Sequence, residues 1–246
     1  MDLYSQIFRR KAFHKFGETL PLTAEDDAAI AAAVDALVPL HDDIKVRTRI
    51  VPASETNSSK GAQRCVLFYS ERKDNSMMNI GYMGEQLDLM LVEKGFGTLW
   101  YGLGKTEEKE FEGLEYVIMI AVAKVPSDSF RKDMFKAKRK EVDEFWEGEV
   151  LPLANIVRFA PSACNSQPWV VRNNGDSLTV YRFRKKGFTG LIPMAFVSRF
   201  NRIDIGIFLL VLELCMAHDG IPFRRTLHID ATSDDVPLTP VATYEW

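Results

Sequence analysis

The feature that most limits how this chain can fold is a match of the sequence to itself. Asn79-Ile80-Gly81 through Glu93-Lys94-Gly95-Phe96 aligns without gaps on Asp204-Ile205-Gly206 through His218-Asp219-Gly220-Ile221. Gly81 then meets Gly206 and Gly95 meets Gly220 at one offset of 125 residues, close to half of the 246-residue chain. Both stretches read as long apolar helices ending at a glycine, the usual residue just past a helix C-terminus. Each has strand-like segments before it and one after it, in the same order. We read an internal duplication of an α+β unit, with halves of about 1–135 and 136–246 in a single domain spanning 1–246. The two long helices, one per half, are expected to form a central pair, with Gly81, Gly84 and Gly206 permitting close backbone approach. The plainer alternative, core helices with incidental glycines, does not conflict with a duplication.

The remaining elements follow from caps and periodicity. Thr23 is placed to cap an alanine-rich helix that runs through Leu37 and is stopped by Pro39. Ile44–Val51 and Cys65–Tyr69 read as strands, Ser76–Lys94 as the first long helix and Val117–Val122 as a buried strand. Pro126–Lys140 reads as a charged connector. In the second half, Glu141–Phe159 is expected to be helical. Trp169–Arg172 and Ser177–Tyr181 form short strands around a turn at Asn173-Asn174-Gly175. Ile203–His218 is the second long helix, Phe223–Ile229 a final strand and Ala242–Trp246 an extended tail.

Composition excludes several classes of function. A formal net charge of −3 gives no concentrated basic face for nucleic acid. Cys65, Cys164 and Cys215 are an odd, widely spaced set that forms neither a disulfide framework nor a metal-ligand cluster, so no metal site is expected. The start Met1-Asp2-Leu3-Tyr4 does not read as a secretory signal. The most apolar stretch, Ile203–Met216, carries Asp204 and Glu213 and is too short to span a bilayer. A cytoplasmic protein without membrane contact is the expectation.

The most specific segment is Ala160-Pro161-Ser162-Ala163-Cys164-Asn165-Ser166-Gln167-Pro168-Trp169. Two prolines stiffen it, small residues let backbone approach a ligand, and the amides of Asn165 and Gln167 both donate and accept. Such a set suits a planar heterocycle with mixed edges better than a metal or a lone anion; a loop satisfied by its own amides is the alternative. Two tempting motifs fail. Gly104-Lys105-Thr106 invites a phosphate-loop reading, but Leu99 stands where the first glycine is required. Gly95-x-Gly97 has Trp100 in place of the third glycine of a dinucleotide fingerprint. Cys164 has no activating group near it in sequence and reads as a small loop residue.

Ala160–Trp169 resembles the nitroreductase-family segment in which a small-residue, Asn-x-Gln-Pro-Trp loop lines the FMN pocket. Arg10-Lys11-Ala12-Phe13-His14-Lys15-Phe16 resembles the family's N-terminal motif, which holds the flavin phosphate and ribityl chain. Gly95–Gly102 resembles the stretch after the central helix whose backbone lies against the flavin ring. The match is to the branch whose single chain holds both halves, the TM1586 type. Two departures stand out: Ala12 replaces a frequent Ser, and His14 replaces Arg or Lys, making that contact sensitive to pH.

The resemblance implies a nitroreductase-like α+β fold in which the duplicated halves form a pseudo-dimer within one chain. It implies FMN as cofactor, held by Arg10, Lys11, His14, Tyr101, Gly102, Leu103, Arg139, Pro161, Ser162, Ala163, Asn165 and Gln167. NADPH or NADH would deliver hydride to the flavin, leave, and be replaced in ping-pong fashion by a small acceptor such as a nitroaromatic or quinone. The cofactor does the chemistry, so no catalytic acid–base pair is assigned. Phe188, Phe196 and Phe200 are candidates to border the acceptor, and core packing explains them equally well. One complete FMN site per chain is expected, joining the Arg10 region to Pro161–Gln167. The first-half counterpart of the loop, Val38–Asp43, lacks the amides and carries two carboxylates, and its partner would be the basic run Lys136–Lys140. Such a chain binds flavin as a monomer, with further oligomerisation left open. The alternatives are a non-catalytic flavin-binding or flavin-sensing protein on the same fold, and a structural domain with a degenerate pocket.

Overall fold

Thr23 caps the second helix as its sequence demands: its hydroxyl accepts the Asp26 N–H at 3.2 Å while the Asp26 carboxylate accepts the Thr23 N–H. The computed structural model describes residues 2–57, 60–183, 194–230 and 236–246. In chain order the elements are α1 (Leu3–Arg9), α2 (Ala24–Asp35), β1 (Val46–Pro52), β2 (Arg64–Ser70), α3 (Ser76–Glu93), β3 (Phe96–Tyr101), β4 (Glu110–Phe111) and β5 (Leu114–Lys124). There follow β6 (Trp146–Glu147), α4 (Ala154–Val157), β7 (Trp169–Asn173), β8 (Ser177–Phe183), α5 (Met194–His218), β9 (Arg224–Leu227) and β10 (Leu238–Glu245). The chain divides into two units, Met1–Ser76 with Met83–Met134, and Met77–Tyr82 with Phe135–Trp246.

In the first unit, an antiparallel sheet runs β1-β2-β5-β3, with β4 paired to β5. Its central strands read as near-continuous apolar runs because both faces are buried. Cys65, Leu67, Tyr69 and Met119, Ala121, Ala123 alternate onto one core with Phe13, Phe16, Leu99 and Phe130.

The second unit's sheet runs β6-β7-β8-β10-β9, antiparallel except for the parallel β6–β7 pair. Trp169 is fully buried and stacks on Phe208 with centroids 4.7 Å apart. Setting aside the short β4 and β6, β7-β8-α5-β9-β10 retraces the path of β1-β2-α3-β3-β5: the strand after the long helix takes the sheet edge, and the last strand inserts beside the second.

The glycine expectation holds at two positions and fails at the third. A Cβ on Gly206 would lie 1.9 Å from the Met78 carbonyl oxygen, and one on Gly81 would lie 2.0 Å from that of Ile203. The early turns of α3 therefore cross α5 at backbone contact, which only glycine permits. Gly84 instead makes room for the Trp100 ring, 2.3 Å from its hypothetical Cβ.

Several element boundaries differ from expectation. The helix expected over Glu141–Phe159 is a 3-10 turn, the short strand β6 and the single-turn α4. Gly148 breaks it at φ 87°, with its hypothetical Cβ 2.2 Å from Asn173 O, and Pro152 precedes the surviving turn. Residues 96–101, left without an element, form β3 against β5. The tail is β10, a full strand between β8 and β9, and α5 begins at Met194, nine residues before Ile203.

Candidate functional site

The N-terminal basic run is an edge addition to the first sheet. Ala12 makes a parallel bridge with Thr98, and the Phe13 N–H donates to Thr98 O at 2.9 Å. This fixes Arg10, which is only 6% exposed, with its Nε donating to Asp88 Oδ2 at 2.8 Å. Asp88 also accepts from the Thr98 hydroxyl and from Trp100 Nε1, the latter at 3.1 Å. Glu85 lies one turn earlier on α3, 1% exposed, and accepts from the same indole at 3.3 Å. Burial and then the neighbouring Asp88 push the Glu85 carboxyl up to about 8, against the pull of Arg10. Burial opposes the charge on Arg10, yet Asp88 and Glu85 more than restore it, and its pKa is raised. Among the described residues, the terminal nitrogens of Arg10 take no hydrogen-bond partner. Lys11 sits 4.7 Å from the Phe13 ring centroid and His14 is exposed.

Tyr101, Gly102 and Leu103 form the turn that leaves β3. The Tyr101 carbonyl accepts the Gly104 N–H at 2.9 Å, whereas the N–H groups of Gly102 and Leu103 have no partner among the described residues. Beside this turn Asn57 accepts the Lys105 N–H at 2.6 Å. A cavity of about 680 Å³ there is lined by Arg49, Thr56, Asn57, Lys105, Thr106 and Glu108, among others. No sequence motif pointed to it.

In the second unit, the loop Ala160–Trp169 carries three residues other than glycine at left-handed angles: Cys164 (φ 49°), Asn165 (φ 55°) and Gln167 (φ 47°). It is held from several sides. Asp204 on α5 accepts the Ala163 N–H at 2.8 Å and the Ser166 hydroxyl at 2.9 Å. The Ser162 hydroxyl accepts the Gln167 N–H at 3.0 Å. Arg139 donates to Asn165 Oδ1 at 2.8 Å, and Lys140 binds Gln167 twice, through its N–H and its ammonium, each at 3.0 Å. Arg139 and Lys140 of the basic run thus brace this loop. Gln167 is 3% exposed and Asn165 is exposed. Pro161, Ser162 and Ala163 are half-buried. Asp204 is 2% exposed, and burial pushes its carboxyl up to about 7 although both loop donors favour the ionised form.

A family model described as "Putative TM nitroreductase" matches residues 2–216. The chain belongs to this nitroreductase family. A solved structure bearing the description "putative nitroreductase", from Thermotoga maritima, matches at TM-score 0.62 and 19% identity, covering 100% of this chain and 94% of its own. That likeness establishes the nitroreductase fold. A protein from Desulfovibrio desulfuricans solved in complex with FMN matches at TM-score 0.42 and 15% identity, over 62% of this chain and 99% of its own. A nitroreductase-like protein from Streptococcus mutans matches at 0.42 and 12%, over 61% and 98%. No significant match exists among curated proteins.

In this nitroreductase-family chain, sequence reasoning missed the carboxylates that hold the site residues. The 125-residue offset sets Asp88 opposite Glu213 and Asn79 opposite Asp204. Glu213 is a hub as Asp88 is, accepting from Tyr82 at 2.7 Å, Arg225 at 2.7 Å and Tyr244 at 2.8 Å. Acidic residues inside apolar helices were the available signal, since a buried charge needs partners. Of the aromatic candidates, Phe200 is buried, Phe196 is exposed with the two centroids 6.4 Å apart, and Phe188 lies outside the described residues. Cys164 is exposed, and Cys65 and Cys215 are buried. Among the described residues no helix is long and apolar enough to cross a membrane.

Proposed function

We propose that this chain binds FMN and acts as an NAD(P)H-dependent oxidoreductase, passing electrons by a ping-pong sequence to a small acceptor such as a nitroaromatic or quinone. The observation that carries the reading is the loop Ala160–Trp169. Its three left-handed residues cost about 1–3 kcal/mol each and persist because Asp204 and Lys140 hold the loop's backbone and Arg139 its Asn165 side chain. Strain maintained in this way is characteristic of backbone shaped to face a ligand.

The residues present fit a phosphate-bearing flavin. Arg10 is sheltered yet keeps unpartnered donors among the described residues, and Gly102 and Leu103 offer free N–H groups of the kind that stabilise an electron-rich ring edge. In this reading Arg10, Lys11 and His14 serve the phosphate. Tyr101, Gly102 and Leu103 present backbone to the ring, and Pro161, Ser162, Ala163, Asn165 and Gln167, with Arg139, supply the amide-bearing loop. Bound FMN would supply the electron transfer; the chain binds, orients and sets the local electrostatics. The strand path shared by the two units supports an internal duplication.

The test is the absorption spectrum of purified protein after incubation with FMN and desalting, followed by anaerobic mixing with NADPH or NADH. A retained flavin spectrum that bleaches quickly is expected. Retained flavin that does not bleach would establish the non-catalytic binder instead, and protein that takes up no flavin would overturn the cofactor assignment.

A further inference from the structure

The cavity of about 680 Å³ in the first unit opens on the sheet face where Arg49 and Val51 of β1 stand with Leu67 of β2. None of the residues proposed to serve the flavin lines it. Backbone contacts hold one of its walls in place. The Asn57 N–H donates to Lys105 O at 3.0 Å, the Asn57 side-chain oxygen accepts the Lys105 N–H at 2.6 Å, and Thr56 pairs with Thr106 in an antiparallel bridge. Lys105, Thr106 and Glu107 are thereby fixed at the cavity.

The polar groups of the lining are unevenly served. Glu108 pairs with Arg49 and accepts the Tyr69 hydroxyl at 3.1 Å, and the Arg49 guanidinium lies 5.1 Å from the Phe111 ring centroid. The side chains of Glu55, Lys105 and Glu107 are exposed and take no ion pair or hydrogen bond among the described residues. Thr106 is only 8% exposed, yet its hydroxyl also takes no partner among the described residues. A sheltered hydroxyl is costly unless a ligand or solvent meets it. Val51 and Leu67, both buried, make the apolar part of the lining.

These groups define a ligand by its charge. With Arg49 and Glu108 paired, one cation and two carboxylates remain, a balance that disfavours phosphate or any other lone anion. It complements a molecule with two cationic groups, one carboxylate and a hydrocarbon stem. Glu55 and Glu107 would take the cations, Lys105 and the Thr106 hydroxyl the carboxylate, and Val51 and Leu67 the stem. The volume lies within the range of about 300–1,000 Å³ usual for small-molecule sites.

We propose that this cavity binds a free basic amino acid of the lysine or arginine kind. The proposal does not rest on the FMN reading.

Calorimetric titration of the full chain with L-lysine tests it, against L-norleucine, which lacks the side-chain ammonium, and cadaverine, which lacks the carboxylate. Lysine should bind saturably, and each comparator at least about threefold more weakly. The double variant Glu55→Gln with Glu107→Gln should lose the preference for lysine over norleucine. Lys105→Gln should lose the preference for lysine over cadaverine. Thr106→Val should weaken lysine about two- to tenfold, and Thr106→Ser, which keeps the hydroxyl, should not. No saturable lysine binding to the wild-type chain would overturn the proposal. Equal affinity for lysine and either comparator, or preferences that survive in the charge variants, would overturn it as well.

Discussion

Asp204 makes a sharp test of how the loop Ala160–Trp169 is held. Its carboxyl is buried, and it titrates at about 7 in the folded chain against 3.8 for an ordinary aspartate. Below both values the proton is bound in folded and unfolded states alike, and stability is independent of this group. Between them the folded chain keeps a proton that the unfolded chain has lost. Stability then falls as pH rises, by about 1.4 kcal/mol per pH unit, and levels off above the folded value. The full effect is on the order of 4 kcal/mol. Asp204→Asn keeps one oxygen to accept from Ala163 or Ser166 and cannot ionise. Urea unfolding of both proteins between about pH 4.5 and 7.5 should show the wild-type chain losing roughly 3 kcal/mol relative to the variant. Parallel stability curves would refute the reasoning, since they would mean that Asp204 is ionised throughout and that its two hydrogen bonds outweigh burial.

Burial and Asp88 push the Glu85 carboxyl up to about 8 near Arg10, so its ionisation brings a second negative charge beside the guanidinium proposed to serve the flavin phosphate. FMN affinity measured by fluorescence should fall as pH rises through about 8 and stay level in Glu85→Gln; a fall of equal size in the variant would exclude Glu85 as its source. Gly206→Ala places a methyl group 1.9 Å from the Met78 carbonyl oxygen. It should destabilise by at least about 1–3 kcal/mol in thermal unfolding. Gly17→Ala, with nothing within 4 Å of the added atom, should stay within about 0.5 kcal/mol. An unchanged Tm for Gly206→Ala would mean that the two helices do not cross as described.

Much of the fold could be read from the sequence because its signals were local. Thr23 announced a helix start, Gly95 and Gly220 announced helix ends, and Cys65–Tyr69 was a strand in any context. The expected helix over Glu141–Phe159 failed because its fate was decided elsewhere: Trp146 and Glu147 pair with Val171 and Arg172, and Gly148 packs on Asn173. Strand β3 was missed because Gly97 dilutes the pattern, yet that glycine is needed where the Phe13 ring sits 3.0 Å from its hypothetical Cβ. In the site, Arg10 and the loop Ala160–Trp169 stood out as motifs. Their counterparts Asp88 and Asp204 are single acidic letters within apolar helices, and only a structure reveals which donors a buried carboxylate serves.

The crossing of Gly81 with Ile203, and of Gly206 with Met78, also carries a consequence in time. About 120 residues separate Gly81 from Ile203, so at about 5–20 residues per second the ribosome needs roughly 6–24 s to supply the second helix after the first. During that interval Met78 and Gly81 lack the helix whose backbone they meet. A nascent chain with this architecture exposes a sticky helical patch for many seconds, long compared with the microseconds in which a helix forms. Stalling synthesis before Met194 should therefore yield a chain that chaperones hold, and completing and releasing the chain, which frees α5, should let it go.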